Sequence, residues 1–221
     1  MEKIEIVKSE TANEYTKNVF INCPFDEEYL TLLRPLLFTV TYLGYDTRIA
    51  SERFDSGEQR IHKISELIHQ SRFSIHDISR MRSRKKNEVS RLNMAFELGL
   101  DIGCRLFNTN LPSKKLCLVL EREQYDYQKG ISDLAGVDIK SHNDIPEILI
   151  RQVRNWFAEN TSRRISSPSV IWMIFNEFMT DFDEKRKGEG FSEADLLLMP
   201  IPEYINFIKS WLITTPRSTK K

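Results

Sequence analysis

The stretch Asn93-Met94-Ala95-Phe96-Glu97-Leu98-Gly99 sets one carboxylate inside apolar sequence, and chemistry is most readily read from it. On a helix, Asn93 lies one turn before Glu97 and Asp101 one turn after it, all on one stripe. Leu92, Ala95, Phe96, Gly99, Ile102 and Gly103 form the neighbouring stripe, assigned here to the core, with Gly99 and Gly103 allowing close approach to a sheet. Glu97 then falls on the border of the core. A carboxyl so placed is partly desolvated, which raises its pKa and readies it for covalent or charge-stabilising work at a sugar carbon. The same spacing also fits a surface glutamate on an amphipathic helix.

Fourteen residues before Asn93, the run Arg72-Phe73-Ser74-Ile75-His76-Asp77-Ile78-Ser79 ends in Asp-x-Ser. Phe73 to Ile78 suits the middle of a parallel sheet, whose ligands bind beyond the carboxyl ends of the strands, where Asp77 and Ser79 would stand. Asn22-Cys23-Pro24-Phe25-Asp26 leaves an earlier strand at the same edge. Phe25 is a candidate to stack on a ligand's aromatic ring, and Asp26 to cap the helix that begins near Glu27, to touch the ligand, or both. Arg53, in the loop Ser51 to Gly57, would pair with a pyrophosphate or stay solvated. The run Arg80-Met81-Arg82-Ser83-Arg84-Lys85-Lys86 reads as a solvated loop whose charge would concentrate phosphate-bearing ligands.

Other chemistries find no support in the sequence. His62, His69 and His76 lack a second ligand at metal spacing and read as core or surface residues, so no metal is expected. Cys23 reads as a small buried residue, not a nucleophile. Without a Gly-rich phosphate loop, a dehydrogenase or ATPase is not expected. Ser132-Asp133 reads as the cap of a short turn.

The elements that must position these groups alternate. Val19 to Cys23 is a strand and Glu27 to Leu43 a helix closed by Gly44; Tyr45 to Ala50 and Glu58 to Gln70 repeat the pair. Phe73 to Ile78, Glu88 to Gly103, and Leu116 to Leu120 continue it, with a short fifth strand at Gly136 to Ile139 and a helix from Pro146 to Glu159. The expected fold is α/β: a flavodoxin-like, doubly wound parallel sheet of about five strands with a C-terminal helical annex. Residues 1–17 form an N-terminal extension, 18–160 the nucleotide-processing domain and 161–221 the annex. The annex carries Trp172, Phe175, Phe178, Phe182, Phe191, Tyr204, Phe207 and Trp211, too much aromatic surface to stand in solvent. It is expected to pack on the sheet domain and to contribute to a homo-oligomeric contact.

Composition bounds the rest. At 221 residues and 40% hydrophobic content the chain can bury one sizeable core. Its 32 basic and 32 acidic residues cancel, so no global field draws it to nucleic acid or an anionic membrane, and the cationic run has no interleaved aromatics for base stacking. No apolar run approaches the roughly 20 residues of a membrane helix, the charged start is not a signal peptide, and Cys23, Cys104 and Cys117 suit reduced thiols. A cytoplasmic protein is expected.

The strand ending in Asp-x-Ser, followed by Asn93 and Glu97-Leu98-Gly99 on a helix, resembles the nucleoside 2-deoxyribosyltransferase family and the related bacterial TIR-like domains. The resemblance covers about residues 18 to 140. The chain departs from the TIR pattern in lacking a Trp-Cys pair before the glutamate and in running from its first strand into Cys23-Pro24-Phe25-Asp26. In the transferases a glutamate of a Met-Glu-Leu-Gly-like motif attacks the anomeric carbon; in NAD-cleaving TIR domains a glutamate on the matching helix contacts the nicotinamide-bearing ribose. The resemblance therefore implies Glu97 as the catalytic residue and NAD as substrate without any further cofactor; the candidate substrate contacts are Phe25, Asp26, Arg53, Asp77, Ser79 and Asn93. The implied activity is NAD glycohydrolysis or ADP-ribosyl cyclisation, as in antiphage signalling. A non-catalytic nucleotide-binding module and a deoxyribosyltransferase are the competing expectations.

Overall fold

The computed structural model describes residues 12–53, 55–81 and 92–215. Five strands build one sheet: β1 (Asn18–Asn22), β2 (Asp46–Ile49), β3 (Phe73–Asp77), β4 (Leu116–Glu121) and β5 (Lys140–Ser141). Every pair is parallel and the order is β2-β1-β3-β4-β5, the doubly wound α/β arrangement read from the sequence. β1 and β3 are buried at every position, as inner strands covered on both faces must be. In register, Asn22 faces His76, Asp77 faces Leu120, and Glu121 faces Ser141, which brings the carboxyl ends of four strands to one edge.

Among the described residues, the helices that follow β1 are, in chain order, α1 (Leu30–Tyr42), α2 (Arg60–His69), α3 (Asn93–Phe107), α4 (Pro146–Asn160), α5 (Pro168–Gly188), α6 (Glu193–Leu197) and α7 (Ile201–Thr214). The helix expected at Glu88 to Gly103 is described from Asn93 and runs on to Phe107; residues 82–91, with most of the cationic run, lie outside the described residues. The fifth strand does not form at Gly136 to Ile139. Gly136 takes a left-handed φ of +91° just past a 3-10 turn at Ser132–Leu134, so the chain is still turning there and pairing begins only at Lys140. Residues 12–17 are helical, and Tyr15 docks this part of the extension by donating its hydroxyl to the Ser113 carbonyl at 3.0 Å. Among the described residues, no helix is long and apolar enough to cross a membrane.

α1 and α4 cover one face of the sheet, and the annex extends that layer. Phe38 of α1 lies 5.1 Å, ring to ring, from Phe178 of α5 and 6.3 Å from Trp211 of α7. Arg34 donates to the Leu196 carbonyl at 2.5 Å and spreads over Tyr204. The polar connection before α5 is held too, because Arg154 donates to the carbonyls of Ile165 and Ser166. One hydrophobic core thus runs from the sheet through α1 into the annex. Ile208, fully buried in it, should give an Ile208→Val variant that loses about 0.5–1.5 kcal/mol in urea unfolding. The account expects a single transition; two separated transitions would show that the annex unfolds apart from the sheet.

Candidate active site

The other face of the sheet carries α2 and α3, and α3 decides what the site is. Its buried residues are Met94, Glu97, Leu98 and Asp101, whereas Leu92 and Phe96 are 63% and 58% exposed and Gly99 faces outward. The core-facing stripe expected from spacing is therefore corrected. The helix is turned so that its carboxylates point at the sheet, and the two glycines sit away from any sheet contact. Buried cations and dipoles on the strands explain the choice. Asp101 accepts from His76 Nε2 at 3.0 Å and from the Ser74 hydroxyl, and its second oxygen lies 3.0 Å from Lys115 Nζ. Lys115 also donates to the carbonyls of Ile68 and Ser71, at the end of α2 and just beyond it. A buried lysine needs such a counter-charge, and that requirement outweighs the burial of Leu92 and Phe96.

Around Asp101, burial raises its pKa, but hydrogen bonds and charge from His76, with Lys115 and Ser74, outweigh it and hold the carboxyl at about 2. Asn22 Nδ2 donates to His76 Nδ1 at 3.0 Å and to the Met94 carbonyl at 2.9 Å, so the His76 proton sits on Nε2, facing Asp101. His76, Asp101 and Cys117 have the mutual spacing of metal ligands. Lys115 already supplies a cation to Asp101 there, which makes the group a closed, charge-paired polar core, and burial pushes the Cys117 thiol up to about 12. Of the other histidines in the sequence reading, His62 and His69 are on the surface.

Glu97 lies one turn back along the same buried face. It is 3% exposed, and its partner is Arg60 of α2, whose guanidinium donates at 3.3 Å from a largely exposed position. Burial pushes the Glu97 carboxyl above its ordinary value of 4.5; Arg60 and His76 offset only part of this. The shift is opposite in direction to those of Asp77, Asp101, Glu66 and Asp195, whose carboxyls are all lowered. Cys23, at the end of β1, is fully buried, and burial together with the charges of Asp77, Glu97 and Asp26 keeps its thiol protonated. The cysteine thus marks the point where these carboxylates converge. It is the junction of β1 and β3, where the strand order reverses and where doubly wound sheets bind their ligands.

Asp77 is buried at that junction, and both its oxygens are used. One accepts from the Ser79 backbone N–H at 2.9 Å and from the Ser79 hydroxyl; the other accepts from Tyr29 at 2.5 Å and from His142 Nε2 at 3.0 Å. Burial raises its pKa, but His142, Ser79 and Tyr29 together hold it below the ordinary carboxylate range. The N–H of Asp144 donates to His142 Nδ1 at 3.0 Å, so the imidazole proton is on Nε2. Ser79, His142 and Asp77 therefore do not form a nucleophile relay: the nitrogen facing Ser79 carries a proton and cannot take another. Asp77 and Ser79 instead tie the ends of β3 and β5 together.

No known family, characterised protein or solved structure matches the chain. What the site does must be argued from its own geometry. Asp26 accepts from the Tyr29 N–H at 3.0 Å, the capping geometry expected, and also pairs with Arg80 at 3.2 Å. Arg80 pairs with Glu28 as well and is nearly buried, which corrects its place in a solvated cationic loop. Asp26→Ala should cost about 1 kcal/mol in chemical denaturation; an unchanged midpoint would show that the cap contributes nothing. Arg53 lies in the loop before α2, with ion pairs to Glu58 at 3.1 Å and to Glu66 of α2 at 2.9 Å, so a pyrophosphate would have to displace both. Phe25 is half-buried against the main core, and Asn93 is exposed at the first turn of α3.

Sequence reasoning missed Tyr29, Arg60, Lys115 and His142. Only His142 carried a legible signal, as a histidine directly after the last strand at the ligand edge. The others depend on which side chains the sheet order brings together.

Proposed function

We propose that the protein cleaves a ribosyl N-glycosidic bond, with NAD as substrate and Glu97 as the carboxylate that stabilises or captures the oxocarbenium-like ribosyl centre. The observation that carries the reading is the raised, buried Glu97 carboxyl at the β1/β3 junction. A group whose ionised form is under-solvated in the empty site gains most when positive charge develops beside it, and that gain is specific to the transition state. Arg60, anchored only by an exposed side chain, is the counter-ion that a substrate's phosphates would draw away, leaving Glu97 to face the sugar. Asn93, on the first turn of the same helix, is placed to meet a sugar hydroxyl. Asp77 contributes by holding the edge in shape, since its acceptors are already occupied. NAD is the substrate, and the reading calls for no further cofactor. A cytoplasmic enzyme acting in defence signalling, and a homo-oligomer, belong to this proposal.

The test is a substrate panel. Purified protein is incubated with NAD, with ribonucleosides and with deoxynucleosides plus an acceptor base, and the free base is followed by chromatography. Nicotinamide release from NAD supports the reading. Base exchange confined to deoxynucleosides would replace it with a transferase, and tight NAD binding without release of nicotinamide would replace it with a binding module.

A further inference from the structure

Beside the Glu97 junction, on the other side of the first turn of α3, lies a cavity of about 290 Å³. We infer that it is a binding site for one purine nucleoside monophosphate unit, and that it seats the adenylate half of a dinucleotide whose other ribose reaches Glu97; the second clause rests on the function proposed above. The cavity is at the small end of the range for ligand pockets, which fits one nucleoside and not a whole dinucleotide.

Its walls give the chemistry. Ile78 and Met81 beyond β3, Leu92 just before α3, and Ile131 supply apolar faces that suit the flat surface of a base. Arg122 and Lys129 also line it. Among the described residues, Arg122 pairs with the largely exposed Glu123 at 2.7 Å and Lys129 with Asp126 at 3.2 Å. Such exposed pairs are weak, so a phosphate can exchange for them. The wall is also built to hold its shape. Glu121, buried at the end of β4, accepts from the N–H groups of Tyr125 at 2.7 Å and Tyr127 at 3.0 Å, which fixes the 3-10 turn at Asp126–Lys129. Gly130 follows it, and a β-carbon there would stand 3.0 Å from Met81 Cε, so the flexible end of that side chain would have to shift. Ser79 lines the cavity while bound to Asp77 and His142, which links it physically to the junction.

The test is calorimetric titration of the full chain with AMP, adenosine and inorganic phosphate, on wild type, Ala95→Phe and Arg122→Ala. Ala95 lines the cavity, and a phenyl group there fills it. Arg122→Ala alters only a partly exposed side chain and guards against a folding defect in the other variant, with thermal melting as the check. The expected result is AMP binding that Ala95→Phe weakens by at least about tenfold, and that Arg122→Ala weakens for AMP but not for adenosine. Equal AMP affinity in folded Ala95→Phe, or no AMP binding at millimolar concentration, overturns the site. The two readings fail separately. AMP binding without NAD cleavage removes the glycosidase and keeps the pocket, whereas NAD cleavage with a KM unchanged in Ala95→Phe removes the pocket and keeps the glycosidase.

Discussion

Glu97→Gln is expected to reduce turnover by about 10²–10³-fold or more while making the protein more stable at neutral pH. The two effects have one cause. Burial disfavours the ionised carboxylate, so its pKa is raised in the folded chain above the ordinary 4.5. A raised pKa means that the protonated group contributes stability below the unfolded value, and that this contribution is lost as pH rises through the folded value. At pH 7 the wild type has lost it, whereas glutamine, which is of the same shape and cannot ionise, retains it. A gain of about 1 kcal/mol would raise Tm by ~2–4 °C in a chain of this size. The gain should vanish below about pH 4, where both side chains are neutral. Calorimetric melting at the two pH values checks it, and a lower Tm for the variant at pH 7 would contradict the strain argument. Activity should show the reverse dependence, falling as acid protonates Glu97, with a midpoint above 4.5.

Asp101→Asn should be the most destabilising conservative change in the α3 layer, at about 3–5 kcal/mol. It leaves the Lys115 ammonium buried without a counter-charge and His76 without an ionised acceptor. The apolar double replacement Asp101→Leu with Lys115→Met should recover much of the loss, because no uncompensated charge then remains. Wild-type stability should follow the same group in acid. Its pKa is depressed to about 2, so its contribution is present above the unfolded value of about 3.9 and is lost as pH falls through about 2. Urea unfolding of the single and double variants decides; a double variant no more stable than Asp101→Asn would place the effect in packing instead of charge.

The fold was legible because hydrophobic period and length separate strand from helix along most of the chain. Phe73 to Ile78 read as a strand from the middle of a parallel sheet and Leu116 to Leu120 as the fourth strand, and the sheet has inner strands at Phe73–Asp77 and Leu116–Glu121. The rotation of α3 was not legible. Two stripes competed on that helix, and the one richer in apolar residues looked like the core face. The decision rests with Lys115 and His76, which lie on β4's approach and on β3, and sequence spacing within α3 holds no information about either. The site divides in the same way. Asp26 as a cap was readable from its place before Glu27, since capping is local. Of the donors that close around Asp77, Ser79 is local, two residues on, whereas Tyr29 and His142 were not readable, because they are distant in sequence and meet Asp77 only through the strand order. Arg53 and Arg80 show the limit for exposed-looking cations, as both turned out to have carboxylate partners that no local pattern announces.

The most direct test of the central claim is nicotinamide release from NAD, measured for wild type and Glu97→Gln at pH 7 under single-turnover conditions, with enzyme in excess. The account predicts release by the wild type and a rate at least about 10²-fold lower for the variant, with the variant folded and at least as stable. Equal rates for the two proteins, or no release by a folded wild type in excess over NAD, would contradict it.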